Sequence, residues 1–106
     1  MQYLLTSSSN KNALNLWDPQ EKKMVKTFSS HLKGVKCALV YDGDKIIVGL
    51  RDDTIKIFDM KLDKCLSTLV GHEGKIYCLK VVKDHFLASG SEDKQIKLWD
   101  LKDLGK

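Results

Sequence analysis

Three side chains in the last third of this 106-residue chain have the makings of a hydrolytic site: Ser89, His72 and Asp93. A hydroxyl nucleophile, an imidazole to take its proton and a carboxylate to orient the imidazole are the parts of acyl-transfer chemistry. The same three groups can instead form a closed set of donors and acceptors that ties buried strands together. The choice turns on the segments that hold them, and on whether the set occurs once or is repeated.

It is repeated. Shifting the chain by 41 residues lays LNLWD (14–18) on IKIFD (55–59), and that on IKLWD (96–100). The same shift lays His31 on His72, Cys37 on Cys78, Gly49 on Gly90 and Asp52 on Asp93 without a gap. A period of this length marks a repeat architecture in which each unit is one supersecondary element. Within a unit, stretches such as TIKIF (54–58) and QIKLW (95–99) alternate polar and apolar residues, the period of a strand with one buried face. Turn-forming clusters fall between them: DPQEKK (18–23), YDGDK (41–45) and DMKLDK (59–64). No window of helical length carries a 3.6-residue apolar stripe. The expected fold class is therefore all-β, with ten short antiparallel strands. With the strands of a unit labelled a to d, residues 1–29 hold b to d, 30–70 hold a to d, and 71–106 hold a to c.

The third unit carries Gly71-His72, then Ala88-Ser89-Gly90-Ser91-Glu92-Asp93, then Trp99-Asp100. At a 41-residue period this joint pattern resembles the WD40 repeat family of β-propellers, and the resemblance covers essentially the whole chain. It implies a partial propeller of three repeats, about two and a half blades, with no complete ring in one chain. It also implies that His72, Ser89, Asp93 and Trp99 form a structural hydrogen-bond tetrad. Such a relay suits a buried indole N–H and a buried carboxylate, both of which need partners. Catalysis would need an exposed nucleophile, and the strained Gly-x-Ser-x-Gly elbow is absent. The expectation is a structural staple, with no catalytic residue. The other units are degraded copies. The second keeps His31 and Asp52 but has Val48 and Phe58 in place of serine and tryptophan, while the first keeps Ser7 and Trp17 but has Lys11 in place of aspartate.

Composition narrows the remaining classes. The net charge is +4, but Arg51 is the single arginine among 18 basic residues, and the lysines are scattered among 14 acids. Base readout leans on arginine and backbone tracking on a clustered stripe, so the balance points away from nucleic acid. Scattered lysine keeps a β surface soluble and discourages edge pairing. Cys37, Cys65 and Cys78 are odd in number and wrongly spaced for a zinc clamp or a disulfide framework. Cys37 and Cys78 are expected as small buried hydrophobes. GHEGK (71–75) has the outline of a phosphate loop but leads into a strand and lacks the full motif. No metal or other cofactor is expected, and no run is apolar enough for a membrane span. With no secretory leader in the sequence, these features place the chain in a reducing interior, cytoplasmic or nuclear.

Propellers that this chain resembles act chiefly as platforms for other proteins, through the channel rim at the end carrying the histidine and the b–c turn. By repeat equivalence that rim takes Lys75, Tyr77 and Glu92 from the third unit, Lys36 and Arg51 from the second, and Asn10 from the first. Alternation along strand a sends Lys75 and Tyr77 to one side and Ile76 with Cys78 to the other. An aromatic with a polar tip beside cations is hot-spot chemistry, and Lys36, Arg51 and Lys75 favour an acidic or phosphorylated peptide. The expected function is a protein-interaction scaffold or adaptor without enzymatic activity. The stretch CLSTLVGHEGKIYCLKV resembles WD repeats of ubiquitin-ligase substrate receptors of the F-box and TRAF types. The alternatives are an RNA- or chromatin-associated propeller subunit and, last, a hydrolase using His72, Ser89 and Asp93. Because propellers close with four to eight blades, either remaining blades or further copies of the chain must complete the ring. Neither two nor three copies sum to seven blades, which favours a piece of a longer propeller.

Overall fold

The structure, a computed structural model, describes residues 4–7, 14–28, 34–43, 45–59, 64–83 and 85–103. Ten strands occur among them: β1 (Leu4–Ser7), β2 (Leu14–Asp18), β3 (Lys23–Phe28), β4 (Val35–Tyr41), β5 (Lys45–Leu50), β6 (Ile55–Asp59), β7 (Lys64–Leu69), β8 (Ile76–Val82), β9 (Phe86–Ser91) and β10 (Ile96–Asp100), followed by one 3-10 turn at Leu101–Asp103. Every pairing is antiparallel between chain neighbours, giving sheets β1-β2-β3, β4-β5-β6-β7 and β8-β9-β10. The local signals explain the hairpins. At the β2–β3 turn, Asp18 turns its carboxylate back on the backbone, accepting from the N–H of Gln20 at 2.9 Å and of Glu21 at 3.2 Å. No helix of the described residues is long and apolar enough to cross a membrane.

The sheets pack face to face around two apolar clusters, one on each side of the middle sheet. Leu14 and Leu16 of the first sheet meet Val35, Ile46, Val48, Leu50 and Phe58 of the middle one. On its other face Ile47, Ile55, Ile57 and Leu69 meet Ile76 and Leu87 of the third sheet, together with Leu101. Strand β5 shows the logic of the period of two: Ile46, Val48 and Leu50 point to one cluster and Ile47 to the other, so Ile46 through Leu50 is buried throughout. Contact between sheets is close where Gly49 faces β8. A Cβ there would lie 2.6 Å from Ile76 Cγ2 and 2.7 Å from Cys37 Sγ, so glycine is what lets the sheets approach.

Two expectations need correcting. Ile76 and Cys78 do not share a side of strand β8. The β8–β9 register slips between them, which places Ile76 in the cluster against the middle sheet and Cys78 over Gly90 on the opposite face. A bulge of this kind breaks strict alternation, and β4 repeats it between Val35 and Cys37. Cys78 is also exposed, not buried, because no sheet covers its face among the described residues. Cys37, at the same repeat position, is half-buried, and burial pushes its thiol up to about 11, helped by the nearby Cys78 and opposed by a backbone hydrogen bond at Gly49. Such a thiol stays protonated at neutral pH and packs as a small apolar group.

Candidate functional site

The approach to β8 and the β9–β10 turn meet at one end of the third sheet. Gly74 lets them close up, since a Cβ there would lie 2.8 Å from the Asp93 backbone nitrogen. Ser91 Oγ donates to the Gly74 carbonyl at 2.9 Å and accepts from the Asp93 N–H at 3.1 Å, while the Glu92 N–H donates to the Lys75 carbonyl at 2.9 Å. Ser91 was not legible as a site residue in the sequence. Its only signal is a hydroxyl two positions before a turn aspartate, a common local hydrogen-bonding arrangement.

This frame brings His72, Ser89, Asp93 and Trp99 into one chain of hydrogen bonds. Asp93 Oδ2 lies 2.9 Å from His72 Nδ1 and accepts the Glu73 N–H at 2.9 Å, and Oδ1 accepts the Gln95 N–H at 2.9 Å. His72 Nε2 lies 2.7 Å from Ser89 Oγ, which accepts the Trp99 indole N–H at 2.9 Å. With the ring proton on Nδ1 the imidazole donates to Asp93, and its Nε2 then accepts the Ser89 hydroxyl proton. Taken alone, the Ser–His–Asp spacing is that of a hydrolase triad. Its setting is not: Ser89 is 1 % exposed and His72 6 % exposed, and the hydroxyl oxygen already holds the indole proton.

Removal from water raises the Asp93 pKa, but the N–H of Glu73, the imidazole of His72 and the N–H of Gln95 outweigh it and hold the carboxyl well below the usual carboxylate range. The sign of the linkage follows. A depressed folded-state value means that the stabilisation is complete above the unfolded value of about 4 and is lost as pH falls through the lower, folded one. Thermal midpoints recorded from pH 6 down to pH 2 should therefore fall more steeply for the native chain than for Asp93→Asn. Parallel curves for the two would contradict this.

The degraded copies look different. Val48 and Phe58 are buried in the apolar cluster of the middle sheet, so hydroxyl and indole are replaced together and neither is left without its partner. Asp52 is exposed and accepts from both the N–H and the hydroxyl of Thr54 in its own turn. Trp17 is half-buried on β2 and stands opposite Leu4 of β1. His31, Asn10 and Lys11 lie outside the described residues, as does the side chain of Ser7.

Of the residues expected at the rim, five lie among the described ones. Tyr77 is 50 % exposed and donates its hydroxyl to Glu92 Oε2 at 3.1 Å. That hydrogen bond, with smaller contributions from desolvation and the Glu92 charge, pushes the Tyr77 phenol up. One repeat earlier, the Arg51 N–H donates to the Gly34 carbonyl at 2.9 Å, the same cross-connection that Glu92 makes to Lys75. Gly34, at φ 67°, leaves room for the Arg51 side chain, which a Cβ there would meet at 2.8 Å. Arg51 and Glu92 are exposed, Lys36 and Lys75 half-exposed. These side chains are thus cationic on the middle sheet and mixed on the third.

The family described as "WD domain, G-beta repeat" matches residues 22–59 and 63–100. Cell division control protein 4 of Saccharomyces cerevisiae is 31% identical over 88 residues, which are 83% of this chain and 11% of that protein. Mitochondrial division protein 1 of Neurospora crassa is 34% identical over 80 residues, 74% of this chain and 12% of that protein. Among solved structures, the WD40 β-propeller domain of Doa1 superposes with a TM-score of 0.83 at 32% identity, over 98% of this chain and 35% of that one. The chain therefore spans about a tenth of the length of these relatives and a third of that propeller chain.

Proposed function

The chain belongs to the WD40 repeat family, and from that membership we propose that it is a protein-binding platform whose contact surface is the rim bearing Lys36, Arg51, Lys75, Tyr77 and Glu92. The observation that carries this reading is the Tyr77–Glu92 pair. An aromatic side chain half in water is held in place by its hydroxyl, so little conformational freedom remains to be lost when a partner covers it. The hydrogen-bonded relay beneath is its structural support: His72, Ser89, Asp93 and Trp99 fix the turn from which Glu92 projects. Three cations at the rim favour an acidic or phosphorylated peptide. Asn10 is proposed as the first repeat's contribution on sequence equivalence alone. In a larger assembly such a surface would serve substrate recognition, with a ubiquitin ligase as the setting that the cadence of residues 65–81 favours.

Titration calorimetry with an Asp/Glu-rich decapeptide and its phosphothreonine counterpart tests the proposal. The double variant Arg51→Glu/Lys75→Glu should lose roughly ten- to a hundred-fold in affinity. Lys83→Glu, in the β8–β9 turn at the opposite end of the sheet, should bind as the native chain does. Unchanged affinity in the double variant would sink the rim as the binding surface.

A further inference from the structure

Two opposite charges at the rim are held in place by their own repeats and do not neutralise each other. Arg51 folds back over Gly34: its Cβ lies 2.8 Å and its Nε 3.0 Å from where a Gly34 Cβ would stand, a place that glycine at φ 67° leaves open. Glu92 is fixed within the third repeat, its Oε2 accepting the Tyr77 hydroxyl at 3.1 Å and its N–H donating to the Lys75 carbonyl at 2.9 Å. Among the described residues none of Arg51, Glu92, Lys36 and Lys75 stands in an ion pair. Both signs of charge therefore remain open to a ligand.

The two positions are equivalent, since each is the residue before its turn aspartate. They are also neighbours in space. Gly49 of β5 meets Ile76 of β8 so closely that a Cβ would lie 2.6 Å from Ile76 Cγ2. Arg51 follows Gly49 by two residues and Tyr77 follows Ile76 by one, so the two rim residues flank this contact. Sheets stacked face to face place equivalent positions about 10 Å apart, and an extended chain advances about 3.3 Å per residue. About three residues of extended peptide thus bridge the Arg51 and Glu92 sites. We infer, resting on the rim as the contact surface proposed above, that its partner is a segment of mixed charge: an acidic or phosphorylated residue and, three positions away, a lysine or arginine. Arg51 and Lys36 take the acidic group. The cation lies against the Glu92 carboxylate and the half-exposed ring of Tyr77, where charge and ring quadrupole attract it together. A uniformly acidic segment meets Glu92 with like charge and is disfavoured.

Titration calorimetry on the full chain tests this with blocked decapeptides that carry phosphothreonine and lysine three positions apart, in both orders. Counterparts with glutamine in place of the lysine serve as controls. The lysine peptide of the better-bound order should bind roughly two- to five-fold more tightly than its glutamine counterpart. Glu92→Lys should reverse that preference, and Tyr77→Phe should reduce it while binding through the phosphothreonine persists. Arg51→Glu should weaken all the peptides together. Affinity that falls in Arg51→Glu but ignores both the peptide lysine and Glu92→Lys would overturn the mixed-charge partner and leave the rim as the contact surface. Affinity unchanged in Arg51→Glu, or no binding of any peptide, would overturn both.

Discussion

Ser89→Ala should lower the stability of the chain by about 2–3 kcal/mol, with a thermal midpoint roughly 10 °C or more below the native one. The substitution removes one oxygen and leaves two groups without partners, the indole N–H of Trp99 and the Nε2 of His72. An unsatisfied buried group carries a penalty of about 1–3 kcal/mol. The histidine, at 6 % exposed, bears nearly all of its share, while the half-buried indole recovers part from water. The middle repeat indicates how the loss can be relieved, because Val48 and Phe58 replace the hydroxyl and the indole together in a buried setting. Ser89→Val/Trp99→Phe should accordingly be less damaging than the sum of its single variants, by about 1 kcal/mol in a double-mutant cycle. Denaturant unfolding of the four proteins measures it. Strict additivity would mean that the relay does not act as a unit.

Ile55→Ala and Ile96→Ala alter the same repeat position and should differ more than any other equivalent pair. Ile55 is 0 % exposed between the middle and third sheets, so truncating it removes apolar burial and opens a cavity, with a loss of about 2–5 kcal/mol. Ile96 is 82 % exposed on a face of the third sheet that no other sheet covers among the described residues, and its truncation should change stability by no more than about 0.5 kcal/mol. Parallel unfolding curves of the two variants decide the matter. Comparable losses would show that the face bearing Ile96 is covered in solution.

Much of the site was legible because it depends on local chemistry. The 41-residue register aligned Trp17, Phe58 and Trp99 on equivalent strands, and the turn aspartates were identifiable from their neighbours. Hydroxyl, imidazole, carboxylate and indole in one unit have few ways to satisfy one another once strand order is known. Alternation failed at β8, where the slip between Ile76 and Cys78 turned two residues expected on one side to opposite faces. A bulge leaves no mark in polar–apolar patterning, because it depends on the partner strand. Ser91 was missed for a related reason: its value lies in reaching the Gly74 carbonyl, a contact set by how two turns approach.

The sequence by itself determined the strands and their pairing within each sheet, since these rest on period and turn residues, while the identity of the buried polar relay came with the family resemblance that the third repeat carries. Only the tertiary structure decided which of several equivalent residues is buried. Ile55 and Ile96, or Cys37 and Cys78, are nearly indistinguishable in their repeats. Their exposure differs because burial belongs to the neighbouring sheet: among the described residues the middle sheet is covered on both faces and the third on one. Apolar area is removed from water only by another surface, and a repeat cannot specify within itself where that surface stops.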